Sequence, residues 1–395
     1  MKKTRIIATA LAALMCVASF TGCGKTTSDK NSDNSLKGTD GTVVENQDTQ
    51  TPEDAQTAPG TDSESTDEPA PIYGLNDYDW KYSDDTVMFT IGTHSVTFDE
   101  WRYYAMYYKG YMDGGDDSYW TAENESSFKS NLIDVFKEYA AIKLLATGKY
   151  GLALSEQNMQ NIETNINSIK TMYGDELYNQ LLEQQYTTEP VLKRMLEFDE
   201  YTTLLLEANA TEEEVRNYAE ENYVHVQHIL VKTVDDNNQP LPEDIVAQKT
   251  AQAAAIAEEA KTAEDFYALV EKYGEDPGMM NNPDGYTFTY GEMVSEFEDT
   301  SFALKAGEIS EPVKTTYGYH IIKKLPLDID GIINSKSDVY WNIVSTVAND
   351  KLTDEVKNYS DSLEVVYTDE FNALTMMNIG VLKTQDTEAE EVEAE

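Results

Sequence analysis

Apolar and polar positions divide this chain into stretches of different period. Residues 6–20 are one largely apolar run, interrupted only by Thr9 and Ser19. From residue 24 to about 75, Thr, Ser, Asp, Asn, Gly and Pro dominate, and Leu36, Val43 and Val44 stand almost alone before Ile72. Such a stretch cannot bury enough surface to order itself. Alternation then begins. Val87, Phe89 and Ile91, a turn at Gly92-Thr93-His94-Ser95, and Val96-Thr97-Phe98 predict a small hairpin. Trp101, Tyr104, Ala105 and Tyr108 recur at helical spacing from about Asp99. Phe128, Leu132, Ile133, Phe136, Tyr139, Ala140 and Leu144 form one face of a long helix ending at Gly148 or Gly151. More helices are predicted over 155–172, 175–185 and 190–206. Thr211-Glu212-Glu213-Glu214 is a capping box that opens another, running to about Tyr223.

The period then shifts to that of strands. Val226-Gln227-His228-Ile229-Leu230-Val231 is apolar and β-branched, and so are residues 312–315 and 319–325. Between them lie predicted helices over 242–261, 263–273 and 297–304, and a short strand over 286–290. This β-α-α-β-α-β-β order predicts a small mixed sheet with helices on one side. Residues 335–359 read as a further helix with Val339, Ile343, Val344 and Val347 on one face, and 364–367 as a short strand. Residues 384–395 form an acidic tail.

At 395 residues the chain is expected to hold two domains. Its formal charge of −44 excludes nucleic-acid binding through phosphate neutralisation and disfavours an anionic membrane surface. Any membrane attachment must therefore be covalent or hydrophobic. Lys2, Lys3 and Arg5 before the apolar run, with Thr21-Gly22-Cys23 after it, make a secretory signal over 1–22. Cys23, just after small residues, resembles a bacterial lipobox and would be lipidated, although Phe20 departs from the usual aliphatic residue. The alternative is an ordinary signal with an incidental cysteine. Cys16 lies inside the signal, so the mature chain holds no disulfide, no thiol nucleophile and no cysteine metal site. Residues 23–76 read as a disordered acidic tether with an r.m.s. span of roughly 40 Å.

The chain has four histidines, and His228 and His320 sit on two of the apolar strands. Two satisfied core histidines are the plainest account. A zinc site needs three or four ligands, and His225 and His228 point to opposite faces of a strand. A Ser-His-Asp hydrolase needs a serine on a strand-to-helix elbow, which the chain lacks. The acids have no loop with spaced Ca²⁺ ligands. No metal and no cofactor are expected.

His228-Ile229-Leu230-Val231, Gly291-Glu292-Met293-Val294, Phe297-Glu298, Ser301-Phe302-Ala303-Leu304, Gly307-Glu308-Ile309-Ser310, Pro312-Val313 and Tyr317-Gly318-Tyr319-His320-Ile321-Ile322 resemble the parvulin family of peptidyl-prolyl cis-trans isomerases in order and spacing. With the lipobox and the flanking helices, the chain looks like the PrsA-type foldase lipoproteins and, more distantly, SurA-like chaperones. The resemblance implies an α+β fold: a parvulin (FKBP-like) mixed-sheet domain over 224–326, inserted in a mostly α-helical chaperone-like domain made of 77–223 and 327–383. It implies His228, Asp276 and His320 as catalytic residues, and Met293, Phe297, Thr315 and Tyr286 around the prolyl pocket. Tyr286 stands where the family's loop carries a leucine wall, since Asn282-Pro283-Asp284-Gly285-Tyr286 departs from the usual Gly-Gly-Asp-Leu-Gly. The acidic Val234-Asp235-Asp236-Asn237-Asn238-Gln239 implies no preference for phosphorylated substrates. The expected function is a lipid-anchored extracytoplasmic foldase on the cell membrane. It would act on unfolded exported polypeptides with X-Pro bonds, with a dimer left open. The alternative is a non-catalytic holdase with a degenerate parvulin module.

Overall fold

The computed structural model describes residues 73–383. The signal segment, Cys23, nearly all of the tether and the acidic tail lie outside the described residues.

The chain opens with strand β1 (Tyr78–Trp80) and the expected hairpin of β2 (Val87–Ile91) and β3 (His94–Thr97). Helices α1 (Phe98–Asp113) and α2 (Ala122–Leu144) follow, then α3 (Glu156–Tyr173), α4 (Asp175–Gln184) and α5 (Glu189–Asn209). Helix α6 (Glu212–Asn222) starts at the expected capping box: the Glu214 N–H donates to Thr211 Oγ1 at 3.2 Å, and the Thr211 N–H donates to Glu214 Oε2 at 3.0 Å.

Strand β4 (Tyr223–Lys232) begins the second region, with α7 (Glu243–Ala260) and α8 (Phe266–Tyr273). Asp265 accepts the Tyr267 N–H at 2.9 Å and so starts α8 three residues later than apolar spacing suggests. A short helix α9 (Pro277–Asn281) lies outside the predicted helices and buries Met279 completely. Then come β5 (Tyr286–Thr289), α10 (Ser295–Ala303), β6 (Val313–Lys314) and β7 (Gly318–Leu325).

These four strands form one sheet in the order β5-β4-β7-β6. Every pairing is antiparallel, so the sheet is not mixed as expected. Nor do the helices keep to one side. Ile229, Val231 and Ile321 face α7 and α8, whereas Val224, Val226, Phe288 and Ile322 pack against Phe297 of α10. Residues alternate across a strand, and this long central pair is apolar on both faces, so each face needs its own cover.

After β7 the chain returns through α11 (Ile329–Ser335) and α12 (Asp338–Ser362) to β8 (Val365–Tyr367), α13 (Asp369–Asn372) and β9 (Gly380–Leu382). Strand β8 pairs with β2 at Phe89↔Tyr367, and β9 pairs with β1 at Tyr78↔Leu382. Phe371 meets Phe89 and Trp101 edge-on at 5.0 and 4.8 Å. Ile343, Val344 and Leu352 of α12 share a buried cluster with Leu205 of α5 and Val215 of α6. The described segments before and after the four-stranded sheet in sequence therefore build common cores. Among the described residues no helix is long and apolar enough to cross a membrane.

Candidate functional site

The register of β4 against β7 decides the site. His228 lies opposite Ile322, and His320 opposite Leu230. The two histidines are thus diagonal neighbours on one face of the sheet. Their Nδ1 atoms are 3.0 Å apart, the rings stack at 21° between planes, and both are about 5 % exposed or less.

Beyond Val226, where β5 ends, the free edge of β4 is taken by the segment following α8. The Glu275 N–H donates to Leu230 O at 2.9 Å, and Glu275 Oε2 accepts the Lys232 N–H at 2.6 Å. Asp276 is thereby held beside the strand. Its Oδ2 lies 2.9 Å from His228 Nε2 and accepts the Tyr286 hydroxyl at 3.1 Å; its Oδ1 accepts the Gly278 N–H at 3.0 Å. The His228 contact, chiefly, lowers the Asp276 pKa to about 2. Gly278 leaves the room this needs, since a Cβ there would lie 2.3 Å from the Tyr286 hydroxyl.

An ionised Asp276 can only accept, so His228 presents Nε2–H to it. In the neutral ring, His228 Nδ1 then accepts from His320 Nδ1–H. His320 Nε2 in turn accepts the Thr315 hydroxyl at 2.9 Å. His320 is held neutral: burial first, and then the neighbouring His228, lower its pKa to about 3. One continuous relay runs from Tyr286 through Asp276, His228 and His320 to Thr315, with every buried polar atom in it partnered.

Phe297 roofs the relay, edge-on to His228 at 5.1 Å and to His320 at 5.2 Å. Met293 packs part-buried against the same cluster. The expected residues therefore all come together, with one difference. Tyr286 contributes its hydroxyl to Asp276 as well as its ring, 5.8 Å from His228. The departing loop is firmly attached: Gln227 Nε2 donates to Pro283 O at 2.6 Å, and His225 Nε2 donates to Asp284 O at 2.5 Å. Gly285 has φ 106°, and a Cβ there would lie 2.6 Å from Val226 O.

A sequence model of the PPIC-type PPIASE domain (Rotamase) matches residues 228–325. A foldase protein PrsA of Geobacillus kaustophilus is 34% identical over 213 residues, which cover 52% of this chain and 65% of that protein. Another, of Caldanaerobacter subterraneus subsp. tengcongensis, is 31% identical over 248 residues, covering 61% of this chain and 72% of that one. The chain belongs to the PrsA foldase family. It spans 65%, 54% and 50% of the length of the first curated relatives it matches. A crystal structure of PrsA from Bacillus subtilis is 22% identical, covering 71% of this chain and 93% of that one with a TM-score of 0.27.

Within this PrsA-family chain the sequence reading assigned no role to Glu298. Its buried carboxylate accepts the Gly291 N–H at 2.9 Å and the Met293 N–H at 3.0 Å, which fixes the loop that carries Met293. The available signal was an acid in the first turn of a helix that follows a glycine turn. Among the described residues no group of three or more His, Cys, Asp or Glu is arranged to hold a metal ion.

Proposed function

We propose that this chain is an extracytoplasmic foldase that isomerises X-Pro peptide bonds in exported polypeptides, with the chemistry in residues 224–326. The continuous relay under Phe297 is the observation that carries this reading.

Rotation about a peptide bond faces a barrier of about 18–20 kcal/mol, and uncatalysed X-Pro exchange takes tens to hundreds of seconds. The transition state is twisted and has lost amide resonance. A slot of Phe297 and Met293 that grips the pyrrolidine ring, while the preceding carbonyl turns freely, favours the twisted form over either planar one. No proton leaves the substrate, so a strong base is unnecessary. His228 and neutral His320 serve as a rigid polar floor, oriented from one end by Asp276 and from the other by Thr315.

The rival reading, a holdase with a degenerate module, rests on the altered 282–286 loop. The bonds from Gln227 and His225 to that loop favour a rebuilt wall over a lost one. A proline-tetrapeptide assay on the full chain separates the two. Acceleration above the spontaneous rate is expected; a folded sample without acceleration refutes the enzyme. Phosphorylated substrates gain nothing, because Asp235 and Asp236 are exposed beside the sheet.

The flanking helices, joined by α12 across the inserted sheet, act as a chaperone part for unfolded segments. Suppression of aggregation should then persist when residues 224–326 are removed. Lipidation at Cys23 anchors the chain to the membrane. Cys23→Ala should release it to the soluble fraction, and unchanged association would refute the anchor.

A further inference from the structure

Helix α1 carries five tyrosines, and the outer ones are open to solvent: Tyr107 at 42%, Tyr108 at 38% and Tyr111 at 88% exposure. Tyr107 and Tyr108 belong to one aromatic array that continues through Tyr103 to Tyr104, and Tyr111 lies one turn further along the same helix. Tyr107 meets Tyr108 edge-on at 5.1 Å, and Tyr104 lies 5.8 Å from Tyr139 of α2, which stacks on Phe198 of α5 at 4.9 Å. Burial chiefly, with the Asp199 charge adding to it, raises the pKa of the Tyr139 hydroxyl. The array therefore reaches α5 at Phe198, the residue before Asp199.

Asp199 lines a cleft of about 340 Å³ between α3, α5 and α12, with Leu196 and Trp341 among its apolar lining residues. Every ionisable residue lining it is an acid: Asp199, Glu200, Glu207 and Asp338. Two of these are engaged. Glu200 accepts from Asn158 Nδ2 at 2.6 Å, and Glu207 pairs with Lys336. Asp199 has no ion-pair partner among the described residues, and burial first, then the Glu200 charge, raise its pKa to about 7. An apolar-floored cleft whose Asp199 carboxyl meets no cation among the described residues, on the helix where the aromatic array ends at Phe198, lacks a positive partner.

We propose that these tyrosines and this cleft hold an extended polypeptide segment in which lysine or arginine alternates with apolar side chains, the cation entering beside Asp199 and the apolar groups lying on Tyr107, Tyr108 and Tyr111. Charge complementarity selects this occupant. A second copy of a chain of charge −44 is repelled, and so is an acidic segment. Tyrosine faces attract cations as well as apolar groups, and rigid aromatic side chains give contact area at low entropic cost. The inference rests on the chaperone reading above and narrows it: among unfolded exported segments, basic amphipathic ones are preferred.

The test is fluorescence anisotropy of the full chain with labelled, proline-free, unstructured peptides of equal apolar content that carry lysine, glutamine or glutamate at the same positions. Leaving out proline keeps the isomerase pocket from contributing. The lysine peptide should bind about tenfold tighter than the glutamine peptide, and the glutamate peptide weakest. Asp199→Asn, close to isosteric, should weaken the lysine peptide several-fold and leave the glutamine peptide unchanged. Tyr107→Ser with Tyr111→Ser, at exposed positions, should weaken both. Asp236→Asn, an exposed site far along the chain, makes the same change in net charge and should alter nothing. If Asp199→Asn and Asp236→Asn weaken the lysine peptide equally, overall charge explains the preference and the inference falls. If peptides bind without regard to charge, the inference falls while the chaperone reading stands. If no peptide binds at all, both fall.

Discussion

Lowering the pH from 7 towards 4 probes the buried histidine pair. His320 is about 5% exposed, and burial and His228 bring its pKa down to about 3, against about 6.5 in an unfolded chain. Below 6.5 the unfolded state takes up a proton that the folded state refuses. Stability from this group is therefore full above pH 6.5 and is lost as pH falls towards 3. The slope is at most about 1.4 kcal/mol per pH unit, so the loss between pH 6.5 and 4.5 reaches roughly 2 kcal/mol. Protonating the many carboxylates relieves self-repulsion and works the other way. The informative quantity is thus the difference between wild type and His320→Gln, whose amide can still bridge His228 and Thr315. Urea unfolding followed by far-UV circular dichroism at pH 7, 6 and 5 measures it. The two stabilities should converge as pH falls. With only four histidines, the ring proton resonances can be assigned by substitution, and those of His320 should not titrate above pH 5. Parallel stability curves, or titration of His320 near 6.5, would refute the reasoning.

Three further outcomes are expected. Thr315→Val leaves buried His320 Nε2 without its donor and should cost about 1–3 kcal/mol in urea unfolding, with a fall in isomerase kcat/KM. Glu298→Ala frees the Gly291 and Met293 N–H groups and should raise the tetrapeptide KM more than it lowers kcat, as Met293 loses its support while the histidines stay in place. Gly318→Ala should abolish folding of the four-stranded sheet, read as lost sheet signal in circular dichroism. The added Cβ would lie 2.2 Å from Val231 O, at a φ of 150° that side chains rarely adopt.

Local pattern was enough for much of this protein. Alternation at Val87, Phe89 and Ile91 and the run around His228 mark strands because burial on a pleated surface selects those residues in a period of two. The Thr211–Glu214 box marks a helix start because both partners lie within one turn. The residue types around His228, Asp276, His320, Met293 and Phe297 are family motifs and were legible one by one. What the sequence left open depends on contacts between distant residues. His228 and His320 are 92 positions apart, and only the register of β4 on β7 makes them diagonal neighbours and not residues on opposite faces. The same register forces cover on both faces of the sheet, so α10 lies opposite α7 and α8. Tyr286 reads in sequence as a substitute for an apolar wall; the position of Asp276 on the free edge of β4 turns its hydroxyl into the end of the relay. The return of β8 to β2 and the stacking of Tyr139 on Phe198 likewise carry no local signal. Periodicity reports which face of an element is buried, whereas the partner it is buried against is chosen by long-range packing, after the loop-closure entropy has been met.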